Sequence, residues 1–283
     1  METIKIAFAD MWEPFEKEDF ITPILKTKYN VVIDQKNPDV LFHSIFNRMS
    51  QTPKYKCKKV LILAENWRPS QFNSDYSISF DPHSETNFRL PLWQIYLLLW
   101  PELKDQLYNR LNHKEFKHFG AFTVSNPSNQ KRNNDYDILK EYKRVESYGK
   151  VRRTSFKLDR LSQGKYWRDA KLDFFKENPH KFMMAYENTS YPYYCTEKLM
   201  DSFLVGSIPI YWGDPKVVED WNEKAFINAN DPRWMQEVRR TDGNIGLFEK
   251  KYNESVFTEE QKNKLEENLE SFKDWLLNIV NVN

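Results

Sequence analysis

The run Tyr193-Tyr194-Cys195-Thr196-Glu197-Lys198-Leu199 sets two phenols, a threonine, a carboxylate and an ammonium where an apolar stretch has ended and an amphipathic one begins. Thr196 or Cys195 stands at the start of the helix implied by "TEKLMDSFLVG", and the free N–H groups and positive dipole end of a helix favour an anion. A phosphate suits that position. Lys198, in the first turn, opposes the dipole, which a polyanionic ligand would offset, and Glu197 is an acceptor suited to a pair of ribose hydroxyls. The same residues admit a plainer reading, in which Glu197 complements the dipole, Lys198 is solvated and the tyrosines belong to the core. On these residues alone the two readings stand side by side.

The elements that must position these groups follow from hydrophobic periodicity. Within residues 1–80, "IKIAFAD", "YNVVIDQ", "DVLFHSI", "KVLILAEN" and "YSISFD" read as strands, with helical spacing in "FEKEDFITPILKTK" between the first two. A helical run "LPLWQIYLLLWPELKDQLYNRL" and a strand "FGAFTVSN" follow, and the polar stretch 126–134 then leads into the helix "DYDILKEYKRV". The second half repeats the alternation: "VESYG", "KFMMAYEN" and "SIPIYWG" as strands, "KYWRDAKLDFFKEN" and "TEKLMDSFLVG" as helices, the latter closed by Gly206. A Thr258 to Gln261 capping box opens a last helix with Leu265, Leu269, Phe272, Leu276 and Ile279 on one face. Strands alternating with helices imply parallel α/β sheets, with ligands at the carboxyl ends of the strands, in a cleft between two such halves. We expect domains at 1–130 and 131–257, with the helix 258–283 packing back on the first.

Length supports two domains, since 283 residues exceed the usual single core. Lysine and arginine number 42 against 41 aspartates and glutamates, so no global field favours nucleic acid or an anionic membrane and any anion site is local. Aromatics reach 16%, enough to supply rings for sugar or base stacking besides those of the core. Cys57 and Cys195 lack metal or CxxC spacing and read as reduced thiols, and the histidines show no HxxH or HExxH pattern. The N-terminus enters a strand pattern at once, and the longest apolar run is shorter than the roughly 20 residues of a membrane span. The expectation is a soluble, cytoplasmic protein with at most peripheral contact with the inner membrane.

Residues 182–213, "FMMAYENTSYPYYCTEKLMDSFLVGSIPIYWG", closely resemble the donor-binding motif of the α-1,3/4-fucosyltransferases, glycosyltransferase family 10: F-x-F-E-N-S, a short aromatic gap, Y-x-T-E-K-L, then G-x-[VI]-P-[VI]. The resemblance extends upstream through "AENWRPSQFN", "RLPLW", "FTVSNPSNQKRN" and "GKVRRT", and is strongest to short bacterial members. It implies a GT-B-like fold, two Rossmann-like domains facing a cleft, with the acceptor sugar on the N-terminal half and GDP-fucose on the C-terminal half. The donor contacts it implies are Arg132, Arg152, Glu187, Asn188, Tyr193, Tyr194, Thr196, Glu197 and Lys198, with Arg132 on the phosphates and also assigned to catalysis. The implied product is a Lewis-type fucosylated N-acetyllactosamine, made from a galactosyl-N-acetylglucosamine acceptor.

Forming an α-fucoside from a β-linked donor inverts the anomeric carbon, so a carboxylate must take the proton of the attacking hydroxyl. Glu65, at the end of "VLILAEN", is the expected base, and Asp10, ending the first strand, is the rival. Family members commonly carry a second glutamate in an E-S-P context here, whereas this chain has Trp67-Arg68-Pro69. The D-x-D of Asp135 and Asp137 falls in a helix, where i and i+2 side chains diverge and cannot share one ion, and it reads as a solvated face. No metal or other cofactor is expected, the phosphates being met by basic residues and a helix end. Two alternatives are a same-fold transferase for another nucleotide sugar and a catalytically silent carbohydrate-binding protein.

Overall fold

The computed structural model describes residues 1–13, 15–47, 50–158 and 166–281. The chain divides into two compact units, Met1–Pro101 with Asn263–Asn283 (unit 1) and Glu102–Lys262 (unit 2). Each is built on a wholly parallel sheet, the α/β class expected from the alternating pattern.

Unit 1 carries β1 (Glu2–Ala9), β2 (Tyr29–Ile33), β3 (Val40–His43), β4 (Lys58–Ile62), β5 (Tyr76–Ser79) and β6 (Asn87–Arg89), in the order β2-β1-β3-β4-β5-β6. All four residues of β3 are buried, as befits an inner strand covered on both faces, whereas the edge strand β2 exposes Val32 and Ile33. β6, with three residues, is too short to show an alternation and escaped the sequence reading. Helix α1 (Ile21–Leu25) joins β1 to β2, and the helical run 90–111 is two helices, α2 (Leu92–Leu99) and α3 (Glu102–Tyr108), because Pro101 cannot continue the hydrogen-bond ladder.

Unit 2 contains β7 (His118–Phe122), β8 (Val145–Ser147), β9 (His180–Tyr186), β10 (Ile208–Trp212) and β11 (Ile227–Asn228), ordered β11-β10-β9-β7-β8. Around them run α4 (Gln130–Tyr142), α5 (Trp167–Glu177), α6 (Glu197–Leu204), α7 (Trp234–Gly243) and α8 (Ile245–Tyr252). The division between units therefore lies at Pro101 rather than near residue 130: β7 pairs with both β8 and β9 and is inseparable from that sheet. The polar stretch 126–134 is no linker either, since Asn129 accepts the Arg132 N–H at 2.9 Å and caps α4. Gly206, at φ 70°, closes α6 where a Cβ would meet the Leu111 carbonyl oxygen at 2.8 Å.

The last helix, α9 (Glu259–Ile279), opens with the expected reciprocal cap: Thr258 N–H donates to Gln261 Oε1 at 2.9 Å and Gln261 N–H to Thr258 Oγ1 at 3.2 Å. Its buried stripe is Leu265, Leu269, Phe272, Leu276 and Ile279, each contributing roughly 2 kcal/mol by burial. Within unit 1, Phe272 packs on Phe88 and Phe20, and Asn268 Nδ2 donates to Gln94 Oε1 at 2.6 Å.

Candidate active site

In unit 2 the strand order reverses between β7 and β9, and in such sheets the crevice beyond the carboxyl ends at the reversal is where ligands bind. Glu187 and Asn188 leave β9 there, and Asn126 to Arg132 follow β7. The Asn129 side chain, besides capping α4, donates from Nδ2 to the Asn188 carbonyl at 2.8 Å. Arg132 Nη1 donates to Asn188 Oδ1 at 3.0 Å and to the Glu187 carbonyl at 3.4 Å, and Nη2 donates to the Asn126 carbonyl. With 1% exposure, Arg132 ties the two loops together from inside; burial lowers its pKa below the ordinary guanidinium value, and Glu187 opposes that shift.

The Glu187 carboxylate is fully buried. It accepts the Thr196 N–H at 2.8 Å and the Thr196 hydroxyl at 2.7 Å, and Lys198 Nζ at 3.1 Å. Burial raises its pKa, with Lys198 and the Thr196 bonds pulling the other way. Thr196 is the N-cap of α6, so this helix N-terminus already holds an internal anion. Gly213 makes room for it, since a Cβ there would lie 2.4 Å from Glu187 Cγ. Asp214 accepts the N–H of Tyr193, a half-buried residue at φ 68°, at 2.6 Å and so fixes the loop entering α6.

Beside this cluster lies a cavity of about 290 Å³ whose lining includes Gly149, Arg153, Lys171, Glu197, Lys198 and Asp201. Burial acts to raise the Glu197 pKa, but Lys198 and Lys171 outweigh it and hold the carboxyl below its ordinary value. Asp201, one turn on, is buried against Arg168 at 2.7 Å and Lys171 at 2.6 Å. A ligand here meets two carboxylates, Glu197 and Asp201, and four basic side chains, Lys150, Arg153, Lys171 and Lys198, of which Lys171 is paired with Asp201, a combination suited to a ribose and a diphosphate.

In unit 1, Glu65 is half-buried in the bend beyond β4, which ends three residues earlier at Ile62, and its carbonyl accepts the Trp67 N–H at 2.7 Å. Arg68 anchors the following turn through Asp81 and Asn66, and its N–H donates to Gln71 Oε1 at 2.8 Å. Asp10 lines a cavity of about 770 Å³ at the end of β1, but its oxygens are already engaged. They accept from Ser50 Oγ at 2.7 Å, Thr52 Oγ1 at 2.8 Å and the N–H groups of Gln51 and Thr52. Burial raises its pKa, yet these bonds outweigh it and leave the carboxyl below its usual range, a poor base.

Two family models match the chain: the N-terminal domain of α-(1,3)-fucosyltransferase FucT over residues 6–96, and the C-terminal region of glycosyltransferase family 10 (fucosyltransferase) over residues 113–254. The chain belongs to glycosyltransferase family 10. It is 29% identical over 270 residues to the Helicobacter pylori α-(1,3)-fucosyltransferase FucT, a match spanning 81% of this chain and 54% of that protein. The chain thus covers about half the length of that relative. A Drosophila melanogaster α-(1,3)-fucosyltransferase B is 45% identical over 62 residues, 21% of this chain and 13% of the fly protein. The fold is similar to that of an α1,3-fucosyltransferase crystallised with GDP, at TM-score 0.73 and 24% identity, over 97% of this chain and 90% of that one. The structure of an α1,3-fucosyltransferase with GDP-fucose gives TM-score 0.71 at 24% identity, over 98% and 91% of the two chains.

Within this family 10 chain the structure brings Arg132, Glu187, Asn188, Thr196, Glu197 and Lys198 together, while other expected residues stand elsewhere. Arg152 is exposed and paired with Asp137 at 2.6 Å; the cavity is lined instead by Arg153, whose Nε donates to the Gly149 carbonyl at 2.7 Å. Tyr194 is wholly buried. The D-x-D diverges as expected, but Asp135 is not solvated: it is buried and accepts from Lys131 at 2.6 Å and the Tyr186 hydroxyl at 2.9 Å. The positioning roles of Asn129, Gly213 and Asp214 were missed. An asparagine just before a helix is a legible N-cap signal for the first, but nothing local announces that a glycine after β10 faces a glutamate after β9.

Proposed function

We propose that this family 10 chain is an inverting fucosyltransferase moving L-fucose from GDP-fucose to the N-acetylglucosamine hydroxyl of an N-acetyllactosamine-type acceptor, in the cytoplasm. What supports this reading above all is the cavity beside the α6 N-terminus, where Glu197 meets Arg153, Lys171 and Lys198 in a family 10 sequence frame. Unit 2 holds the nucleotide: Glu197 takes the ribose hydroxyls, Lys198 and its basic neighbours take the diphosphate, and Arg132 with Asn188 keeps the loops in place. Glu65 of unit 1 takes the acceptor proton. The acceptor oxygen bonds to the anomeric carbon, the carbon–phosphate oxygen bond breaks, and its electron pair leaves on GDP. The basic side chains supply the charge that a metal ion supplies elsewhere, so no metal enters the transfer step.

The test is incubation with GDP-fucose and either β1,4- or β1,3-linked galactosyl-N-acetylglucosamine, followed by NMR of the product. An α-fucosyl linkage on N-acetylglucosamine with stoichiometric GDP release is expected. Tight GDP binding without release on any acceptor, or preference for another nucleotide sugar, contradicts the proposal.

A further inference from the structure

At the opposite end of the unit 2 sheet stand three side chains with no part in the transfer. His118 and His180, the first residues of β7 and β9, are register partners on adjacent parallel strands and so share a face of the sheet. Glu146 reaches them from β8, and the ligand atoms of the three all lie within 4.8 Å of one another. We propose that His118, Glu146 and His180 form a binding site for a zinc-class divalent cation that braces β7, β8 and β9. The number of strand residues from 180 to 187, at about 3.3 Å each, puts it roughly 20 Å from the Glu187 cluster.

The second observation is an orphan. Glu146 Oε1 is met by His118 Nδ1 at 3.3 Å and Arg144 Nε at 3.1 Å, but Oε2 is buried with no hydrogen-bond partner among the described residues, in a side chain 9% exposed. A buried carboxylate oxygen left unpaired is costly, and a cation on it removes the cost. His180 is prepared as a ligand. Its Nδ1–H donates to the Asn178 carbonyl at 2.6 Å, and the Nε2 lone pair accepts from the Tyr148 hydroxyl at 3.0 Å, a bond whose place the cation takes. An imidazole oriented by a carbonyl behind it is the usual support of a metal-bound histidine.

The two rings are stacked, 4.5 Å apart and 22° from parallel, and parallel rings cannot both aim a lone pair at one ion. Binding therefore turns His118, the more exposed of the two, out of the stack. Two imidazoles and one carboxylate, with water completing the shell, select zinc or cobalt over magnesium or calcium, which require oxygen ligands.

The experiment uses the whole chain, stripped with chelator and dialysed. One equivalent of Co²⁺ should give visible d–d bands of an imidazole-bound, four- or five-coordinate ion, and Zn²⁺ should displace it with 1:1 calorimetric stoichiometry. His118→Ala and Glu146→Gln, each checked by circular dichroism for a native fold, should weaken Zn²⁺ by at least tenfold. Absence of the bands in the wild-type protein at about 100 µM Co²⁺, or affinity unchanged in both folded variants, overturns the proposal.

Discussion

The Glu187 carboxylate lies 3.1 Å from the Lys198 ammonium and accepts both the N–H and the hydroxyl of Thr196, so the N-terminus of α6 is held by an anion of the protein itself. Lys198 thereby faces two ways. One side secures a buried carboxylate, and the other lines the cavity with Glu197.

In the proposed site Lys198→Ala removes a charge-assisted contact to the diphosphate, worth roughly 1.5 to 3 kcal/mol, so GDP affinity should fall about tenfold to a hundredfold. Unchanged calorimetric affinity returns Lys198 to a purely structural partner of Glu187.

Arg152 and Arg153 separate by placement. Arg153→Ala should weaken GDP binding by about tenfold, because its guanidinium lines the cavity. Arg152→Ala should change affinity by no more than about twofold, since its exposed pair with Asp137 is worth at most about 1 kcal/mol. The reverse order, measured by calorimetry on both variants, moves the phosphate site away from this cavity.

His180 should leave a mark on acid stability. Its pKa falls from 6.5 to about 3 on folding, so between those values the unfolded chain binds a proton that the folded chain does not. The contribution is full above pH 6.5 and is lost as pH falls toward 3, at up to about 1.4 kcal/mol per pH unit. In urea unfolding with chelator present, His180→Gln should flatten the wild-type slope between pH 6.5 and 5. Equal slopes in the two proteins contradict the assignment.

Asp135 is committed to Lys131 and Tyr186, and Asp137 to Arg152, so neither is offered to an ion. Excess chelator should leave the initial rate of fucosyl transfer within about twofold while lowering the melting temperature of any metal-loaded protein. A stripped enzyme that is inactive until manganese is added contradicts this.

Much of the fold was legible because parallel strands buried on both faces read as apolar runs, and because the Thr258 and Gln261 cap is written locally. Helices α7 and α8 were missed: α7 buries only Trp234, Val238 and Thr241, and α8 only Phe248 and Tyr252, too thin a stripe to stand out. The boundary was misplaced because pairing of β7 with β9 is a long-range fact that a polar stretch between them obscures. At the site, residue types and helix ends were readable, but which of two adjacent arginines faces the cavity was not, since Arg152 takes φ 54° and turns its neighbour inward. That Glu187 would fill the anion position at the α6 N-terminus depends on the close approach at Gly213, which only the folded chain reveals.

The proposed division of labour, nucleotide on unit 2 and proton transfer at Glu65 on unit 1, is tested most directly at Glu65 itself. Glu65→Gln keeps the shape and removes the basic carboxylate, and GDP-fucose affinity and transfer rate are measured on the same preparation, with Asp10→Asn as control. The expected result is donor affinity within about twofold of wild type and a transfer rate lower by roughly 10² to 10⁴, with Asp10→Asn retaining far more activity. Near-normal turnover in a folded Glu65→Gln enzyme, or a comparable rate loss in a folded Asp10→Asn enzyme alone, contradicts it.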